Sequence, residues 1–261
     1  MQPRKIAIAN QKGGVGKTAT ALGLASAVMT RGGKVLVVDA DPQGNSTMGM
    51  GVTVGDDTLT TYHLMNQTIE GRAADAVVAT DWDGVDLIPA DEELSKIESD
   101  GSNDLVFRLD VAFEGVDLSP YDLVVFDCPP SLGKVLFSVL IVCDGVVAVT
   151  EPTIDSVTGV TRLEDTISTV RKRANPHLEF SKIVLSRRRN TTEHNFRENE
   201  LREGYGDLVA RTVIPELAAR QDAHSARTPI HQFRGGRSIA LQTAYDDLLD
   251  ELSLLTNGGA Q

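Results

Sequence analysis

Residues 10–18, which read NQKGGVGKT, are of the types that bind a polyphosphate. They follow the apolar run KIAIA and precede an Ala/Leu-rich stretch, which predicts a turn between a strand and a helix. The ending GKT matches the phosphate loop G-x-x-x-x-G-K-[ST], although Gln11 stands where the pattern has its first glycine. The remaining glycines still let successive backbone N–H groups face a phosphate chain at a helix N-terminus.

The side chains of this loop have predictable roles. Lys17 would neutralise the β- and γ-phosphate oxygens, and the Thr18 hydroxyl would bind Mg²⁺. Lys12 precedes the glycines and is better placed to point outward across the site than to share the phosphate that Lys17 holds. The alternative is a glycine-rich turn without a ligand, which would not need the GKT ending. The predicted nucleotide-binding residues of the loop are Lys12, Gly13, Gly14, Val15, Gly16, Lys17, Thr18 and Ala19.

Three carboxylates follow apolar runs further along the chain. Asp39 and Asp41 end the run VLVVDAD, and Asp127 ends LVVFD. Because the carboxyl ends of parallel strands face the ligand crevice of a sheet, we expect these side chains to lie near the loop. One carboxylate can hold a Mg²⁺-bound water while another orients the attacking water. For each aspartate taken alone, a turn or a helix cap is the alternative.

Apolar runs alternate with segments of helical periodicity, which predicts an α/β fold. We expect an open, mostly parallel, doubly wound sheet with helices on both faces. Residues 156–174 and 240–255 each have one apolar face, as helices that pack on a sheet do. Residues 1–256 are predicted to form a single domain and residues 257–261 a flexible tail. The predicted strands are 5–9, 34–39, 85–89, 123–127, 145–150, 181–186 and 209–214.

Composition limits the classes of protein further. The chain has 261 residues, and no apolar run approaches the roughly 20 residues that cross a bilayer. Because the N-terminus also has no signal-peptide pattern, we expect a cytoplasmic protein with no membrane partner. Cys128 and Cys143 lack the spacing of a metal or redox site and are expected to be buried thiols. The formal net charge is -12, but residues 187–237 contain ten arginines against seven acidic residues.

Together, KGGVGKT, DADPQGN and DCPPS resemble, in this order and spacing, the ParA/Soj family of plasmid and chromosome partitioning ATPases, within the larger group that contains MinD. The similarity covers nearly the whole chain, including TVIPELAARQDAHSARTPIHQF. It implies a P-loop NTPase of the deviant Walker A type, in which the first lysine of the loop reaches the nucleotide of a facing subunit. Lys12 would be that intersubunit lysine.

The resemblance also implies roles for other residues. Lys12, Lys17 and Asp41 would be catalytic, with Asp41 organising the hydrolytic water. The metal would lie near Thr18, Asp39 and Asp127. Adenine contacts would lie near residues 187–190 and at Pro215. The cofactors would be ATP and Mg²⁺.

For the protein as a whole, the resemblance implies a nucleoid-associated homodimer. Members of the family dimerise on ATP, bind DNA non-specifically, and leave it when a ParB-like centromere-binding partner stimulates slow hydrolysis. Clustered cations suffice for contacts with DNA phosphates. The alternative is that the arginines pair with local acids on a solvated face. The candidate DNA-binding residues are Arg187, Arg188, Arg189, Arg220, Arg227, Arg234 and Arg237.

Three other classes of function are alternatives for a chain with this loop. A MinD-like membrane switch needs a basic amphipathic C-terminal helix, whereas the polar face of residues 240–255 is acidic. An iron–sulfur scaffold needs cysteine ligands at a spacing that this chain lacks. An amidoligase with the same loop would need a substrate pocket that one sequence cannot reveal. The chain also departs from the family pattern at the arginines 187–189, where acidic or small residues are common.

Overall fold

An eight-stranded sheet forms the centre of the computed structural model, which describes residues 2–253. The strand order is β3-β4-β2-β5-β1-β6-β7-β8, and neighbouring strands are parallel except for the antiparallel pair β3 and β4. This confirms the predicted open, mostly parallel sheet. The strands are β1 (Arg4–Ala9), β2 (Val35–Asp39), β3 (Val78–Ala79), β4 (Val85–Ile88), β5 (Leu123–Asp127), β6 (Gly145–Thr150), β7 (Glu179–Arg188) and β8 (Val209–Pro215).

Helices cover both faces of the sheet. Side chains alternate along each strand, so Ile6 and Ile8 of β1 pack into one buried apolar cluster, and Ala7 and Ala9 pack into the other. Burial on both faces explains why the strands are continuous apolar runs and do not alternate with polar residues. The α-helices are α1 (Lys17–Thr30), α2 (Asn45–Gly49), α3 (Thr61–Asn66), α4 (Arg108–Phe113), α5 (Lys134–Val142), α6 (Ser156–Arg173), α7 (Thr192–Tyr205), α8 (Ala218–Ser225) and α9 (Ser238–Leu252).

The seven predicted strands correspond to β1, β2 and β4–β8. Sequence reasoning missed β3, which has two residues and lies at the edge of the sheet. The predicted helix 156–174 is α6. The predicted helix 240–255 begins earlier, at Ser238, and ends at Leu252, because Ser253 adopts a left-handed φ of 48°. Residues 254 and 255 and the predicted tail, 257–261, lie outside the described residues.

The topology brings the predicted site residues to one edge of the sheet. β1, β2 and β5 are adjacent and parallel, so their carboxyl ends lie side by side. The phosphate loop follows β1, Asp39 ends β2, and Asp127 ends β5 directly opposite Asp39. None of the helices between residues 2 and 253 is both long enough and apolar enough to cross a membrane.

Candidate nucleotide site

The phosphate loop joins β1 to α1 with its backbone N–H groups available for a ligand. Gly14 and Gly16 have φ values of 73° and 96°, in the left-handed region that favours glycine. Within the described part of the chain, the N–H groups of residues 13–17 donate no backbone hydrogen bond of normal geometry. Such a loop, at the N-terminus of a 14-residue helix, attracts an anion through both its free donors and the helix dipole.

Lys17 lies inside this loop with its ammonium group largely shielded from solvent. Its Nζ donates a hydrogen bond to the Lys12 carbonyl oxygen at 3.2 Å, and the residue is only 7% exposed. Burial lowers the pKa of Lys17, while the nearby carboxylates of Asp127 and Asp41 oppose that shift. A cation held in this way can neutralise phosphate oxygens without first giving up a full hydration shell.

Asp39 and Asp127 form a fully buried carboxylate pair. Both oxygens of Asp39 accept hydrogen bonds. Its Oδ2 accepts from the Thr47 N–H and hydroxyl, both at 2.8 Å, and its Oδ1 accepts from the Asp41 N–H at 3.1 Å. Asp127 Oδ2 accepts a hydrogen bond from the Ser46 hydroxyl at 2.8 Å. Burial raises the pKa of both aspartates, because both lie where a charged form is poorly solvated.

Asp127 is the carboxylate that best fits a metal ion. Its Oδ1 is buried and has no hydrogen-bond partner among the described residues. The Thr18 hydroxyl lies close enough to lower the pKa of Asp127. Residues 2–253 contain no group of three or more His, Cys, Asp or Glu side chains that could hold a metal by themselves. Mg²⁺ commonly binds through one or two protein oxygens plus phosphates and water, so Asp127 and Thr18 would hold it together with a nucleotide.

A cavity of about 650 Å³ adjoins the loop. Asp41 lines it, and its Oδ1 accepts a hydrogen bond from the Gln43 N–H at 3.0 Å. Residues of α8 also line the cavity, as does Tyr245, whose buried hydroxyl has no partner among the described residues. Sequence reasoning missed this part of the site, which also includes Leu22, Gly23, Trp82, Gln221, Ala223, His224 and Ile230.

Lys12 extends away from the glycines. Its Nζ donates a hydrogen bond to the Thr153 hydroxyl at 3.1 Å and lies 3.8 Å from the Asp155 carboxylate, on the segment between β6 and α6. The Lys12 side chain is 42% exposed. The ammonium group of Lys12 therefore lies at the surface, beside the nucleotide loop.

The three consecutive arginines are engaged in ion pairs with carboxylates. Arg187 pairs with Glu216 at 2.7 Å, and Arg189 pairs with the same glutamate at 3.2 Å. Arg188 pairs with Glu198 at 2.9 Å. These contacts match the alternative in which the arginines pair with local acids.

The other predicted residues lie in several different places. Arg220 lines the cavity beside the loop. Arg234 and Arg237 are exposed and form no ion pair among the described residues, and Arg227 likewise forms none. Pro215 pairs with Arg188 across β7 and β8 and is not among the residues that line the cavity. Cys128 and Cys143 are buried free thiols, as predicted.

The parallel sheet, the glycine loop and the adjoining carboxylates define a P-loop NTPase. Residues 3–180 match a family model described as an AAA domain. The chain is 37% identical to the chromosome partitioning protein ParA of Caulobacter vibrioides over 232 residues, 87% of this chain and 86% of that protein. It is 34% identical to the sporulation initiation inhibitor protein Soj of Bacillus subtilis over 228 residues, 86% of this chain and 89% of that protein.

The chain belongs to the ParA/Soj family of partitioning ATPases. Family membership confirms the predicted resemblance and the assignment of the chain as an ATPase. A solved structure, cobyrinic acid a,c-diamide synthase from Mycobacterium smegmatis with bound ADP and magnesium, is 27% identical, with a TM-score of 0.78. The alignment covers 97% of this chain and 96% of that one.

Proposed function

We propose that this protein is a DNA-partitioning ATPase that works as a nucleotide-dependent dimer. ATP and Mg²⁺ are its cofactors, the ATP-bound dimer binds DNA non-specifically at the nucleoid, and a ParB-like centromere-binding partner releases it by stimulating slow hydrolysis. The 37% identity to a ParA protein, against 27% to the diamide synthase, favours partitioning over amide synthesis. The N–H groups of loop residues 13–17 and one oxygen of Asp127 have no hydrogen-bond partner within residues 2–253, which supports a site for a nucleotide with Mg²⁺.

The position of Lys12 is the observation that carries the proposal. Among the described residues, its ammonium group contacts Thr153 and Asp155, both partly exposed, and exposed ion pairs contribute about 0–1 kcal/mol. Lys12 can therefore exchange these partners at little cost for the phosphates of a nucleotide in a facing protomer. Hydrolysis removes the γ-phosphate and with it part of the attraction between the two protomers, so the dimer reports the nucleotide state.

Replacing Lys12 with glutamine is expected to abolish ATP-dependent dimerisation and to leave the monomer's affinity for ATP nearly unchanged. The reason is that Lys17, and not Lys12, faces the phosphates of the same protomer. Light scattering with a non-hydrolysable ATP analogue measures the dimer, and titration with a fluorescent nucleotide measures binding. Lys172→Gln, at an exposed lysine of α6, is the matched control and should dimerise normally. A Lys12→Gln protein that dimerises at wild-type concentrations contradicts the proposal.

Replacing both Arg234 and Arg237 with alanine is expected to weaken DNA binding. Each phosphate contact contributes about 0.9 to the slope of log affinity against log salt, so the slope should fall by about 2 for each protomer that contacts the DNA, or about 4 for the dimer. Binding to a random-sequence duplex, measured by fluorescence anisotropy at several salt concentrations, gives both quantities. The control is the double variant Arg188→Ala and Arg189→Ala, which removes the same charge from arginines already paired with Glu198, Glu151 and Glu216. Equal losses of DNA affinity in both double variants would show that DNA binding depends only on net charge, and would contradict the assignment of Arg234 and Arg237 as DNA-contacting residues.

The alternative is a MinD-like positioning ATPase at a membrane. In the structure, the apolar face of α9 is buried against α1 and β8, with Leu241, Tyr245 and Leu248 at most 1% exposed. On its polar side, Asp246 and Asp250 pair with Arg31, the residue that follows α1. These contacts support α9 as part of the fold, and no observation favours the membrane alternative.

A further inference from the structure

The end of β7 binds the outer side of the phosphate loop. The Ser186 hydroxyl donates a hydrogen bond to the Val15 carbonyl oxygen, and Arg187 Nη1 donates one to the Gly14 carbonyl oxygen at 2.7 Å. Two consecutive residues of β7 thus hold two consecutive carbonyls of the loop. Because the C=O and N–H of a trans peptide point in opposite directions, holding these carbonyls directs the following N–H groups to the other side, where phosphates bind.

The Arg187 side chain is itself fixed in place. Its Nη2 donates to Glu216 at 2.7 Å, its Nε donates to the same oxygen at 3.2 Å, and its Nη1 lies 3.8 Å from Glu151. Glu216 follows β8 and Glu151 follows β6, so one guanidinium joins three strand ends to the loop. Arg187 also has a φ of 51°, a left-handed conformation that is uncommon for a non-glycine residue and is often found at functional sites.

Electrostatic attraction alone does not account for this arrangement. Glu151 and Glu216 lie between Arg187 and Arg189, and these four side chains together carry no net charge. The cluster therefore has little net charge with which to attract a nucleotide or DNA. Its remaining effect is geometric, since a planar guanidinium can bridge a carbonyl and a carboxylate at fixed angles.

We propose that Arg187 is a positioning residue of the nucleotide site, and not a DNA-binding residue. It orients the Gly14 carbonyl so that the loop N–H groups are aligned for the diphosphate of a bound nucleotide before the nucleotide arrives. The inference deepens the proposed function, since it rests on a nucleotide binding at this loop. It does not depend on dimerisation, DNA binding or a partner protein.

The test is the affinity for Mg-ADP, which has no γ-phosphate and so reports the monomer. Arg187→Ala is expected to weaken ADP binding by about 10- to 100-fold, the loss that follows from removing a charged hydrogen bond. The ratio of the wild-type and variant dissociation constants should be the same at low and high salt, because the effect is geometric. In steady-state hydrolysis, KM for ATP should rise by more than kcat falls.

Two further variants separate this positioning role from a general effect of positive charge on nucleotide binding. Arg188→Ala removes an equal charge from the same strand end, but Arg188 contacts Glu198 and Asn195 and not the loop, so ADP affinity should stay within about twofold. Arg187→Lys should recover little of the lost ADP affinity, because an ammonium group cannot bridge Gly14 and Glu216 in the same geometry.

Three results would overturn the proposal. The first is wild-type ADP affinity in Arg187→Ala, with or without loss of DNA binding. The others are equal losses of ADP affinity in the Arg187→Ala and Arg188→Ala variants, and full recovery of ADP affinity in Arg187→Lys. If instead the proposed partitioning function fails while Arg187→Ala alone weakens ADP binding, the role of Arg187 stands independently.

Discussion

Replacing Lys17 with alanine is expected to lower the rate of ATP hydrolysis by about 100- to 1,000-fold, the usual loss when one group that stabilises transition-state charge is removed. The Lys17 ammonium is buried in the loop and close to Asp41 and Asp127, where phosphate charge would develop. Phosphate release under saturating ATP and Mg²⁺ measures the rate. Lys172→Ala, at an exposed lysine of α6, should keep the wild-type rate.

Loss of activity in Lys17→Ala should come from loss of the charge and not from unfolding. Burial lowers the pKa of Lys17, which means that the fold disfavours its charged form, so loss of the charge itself should cost little stability, and only the buried methylene groups of the side chain are lost from packing. Chemical denaturation of both variants checks this directly. A Lys17→Ala protein that hydrolyses ATP within about tenfold of the wild-type rate would contradict the assigned role of the loop.

Replacing Asp41 with alanine should reduce hydrolysis by about 100- to 10,000-fold, the range attributed to a positioned acid or base. Asp41 lines the cavity beside the loop, and its Oδ1 is oriented by the Gln43 N–H, which leaves Oδ2 to orient a water. ATP binding should persist, so the variant should accumulate as an ATP dimer on DNA. Turnover assays and DNA co-sedimentation with ATP measure the two effects.

Asp41→Asn distinguishes a role in hydrolysis from a role in the turn. Asparagine keeps a side-chain oxygen that can accept the hydrogen bond from Gln43 but carries no negative charge. If Asp41 activates or orients the hydrolytic water as a carboxylate, Asp41→Asn should be nearly as slow as Asp41→Ala. Near-normal turnover in Asp41→Asn would assign Asp41 to the turn between β2 and α2.

The sequence was most informative where function requires a local pattern. The loop at residues 10–18 could be identified because glycine, lysine and threonine must follow one another closely to surround a phosphate. The longer strands could be identified because parallel strands buried on both faces are continuous apolar runs. β3 has no such signal, since two residues at a sheet edge are too few to show a pattern.

Long-range contacts were beyond the reach of the sequence. Arg187 and Gly14 are 173 positions apart, and nothing near either residue indicates that the guanidinium binds the loop. The family resemblance and the local excess of arginine made the run of three arginines a candidate for DNA binding, whereas the packing of β6, β7 and β8 places two carboxylates beside it. The contribution of α8 and Tyr245 to the cavity likewise depends on how distant elements pack.

Asp127 shows how sequence and structure combine. Its position at the end of an apolar strand predicted a metal ligand, as it also did for Asp39. The two aspartates differ in their hydrogen bonds. The N–H and the hydroxyl of Thr47 both donate to one oxygen of Asp39, whereas one oxygen of Asp127 has no hydrogen-bond partner among the described residues.

The most direct measurement for the central claim is a crystal structure with Mg²⁺ and a non-hydrolysable ATP analogue. The account predicts two protomers facing each other across their nucleotides. Lys12 Nζ should have left Thr153 and should lie within hydrogen-bonding distance of a phosphate oxygen in the opposite protomer. Solitary protomers with bound analogue, in which Lys12 still contacts Thr153 and Asp155, would contradict it.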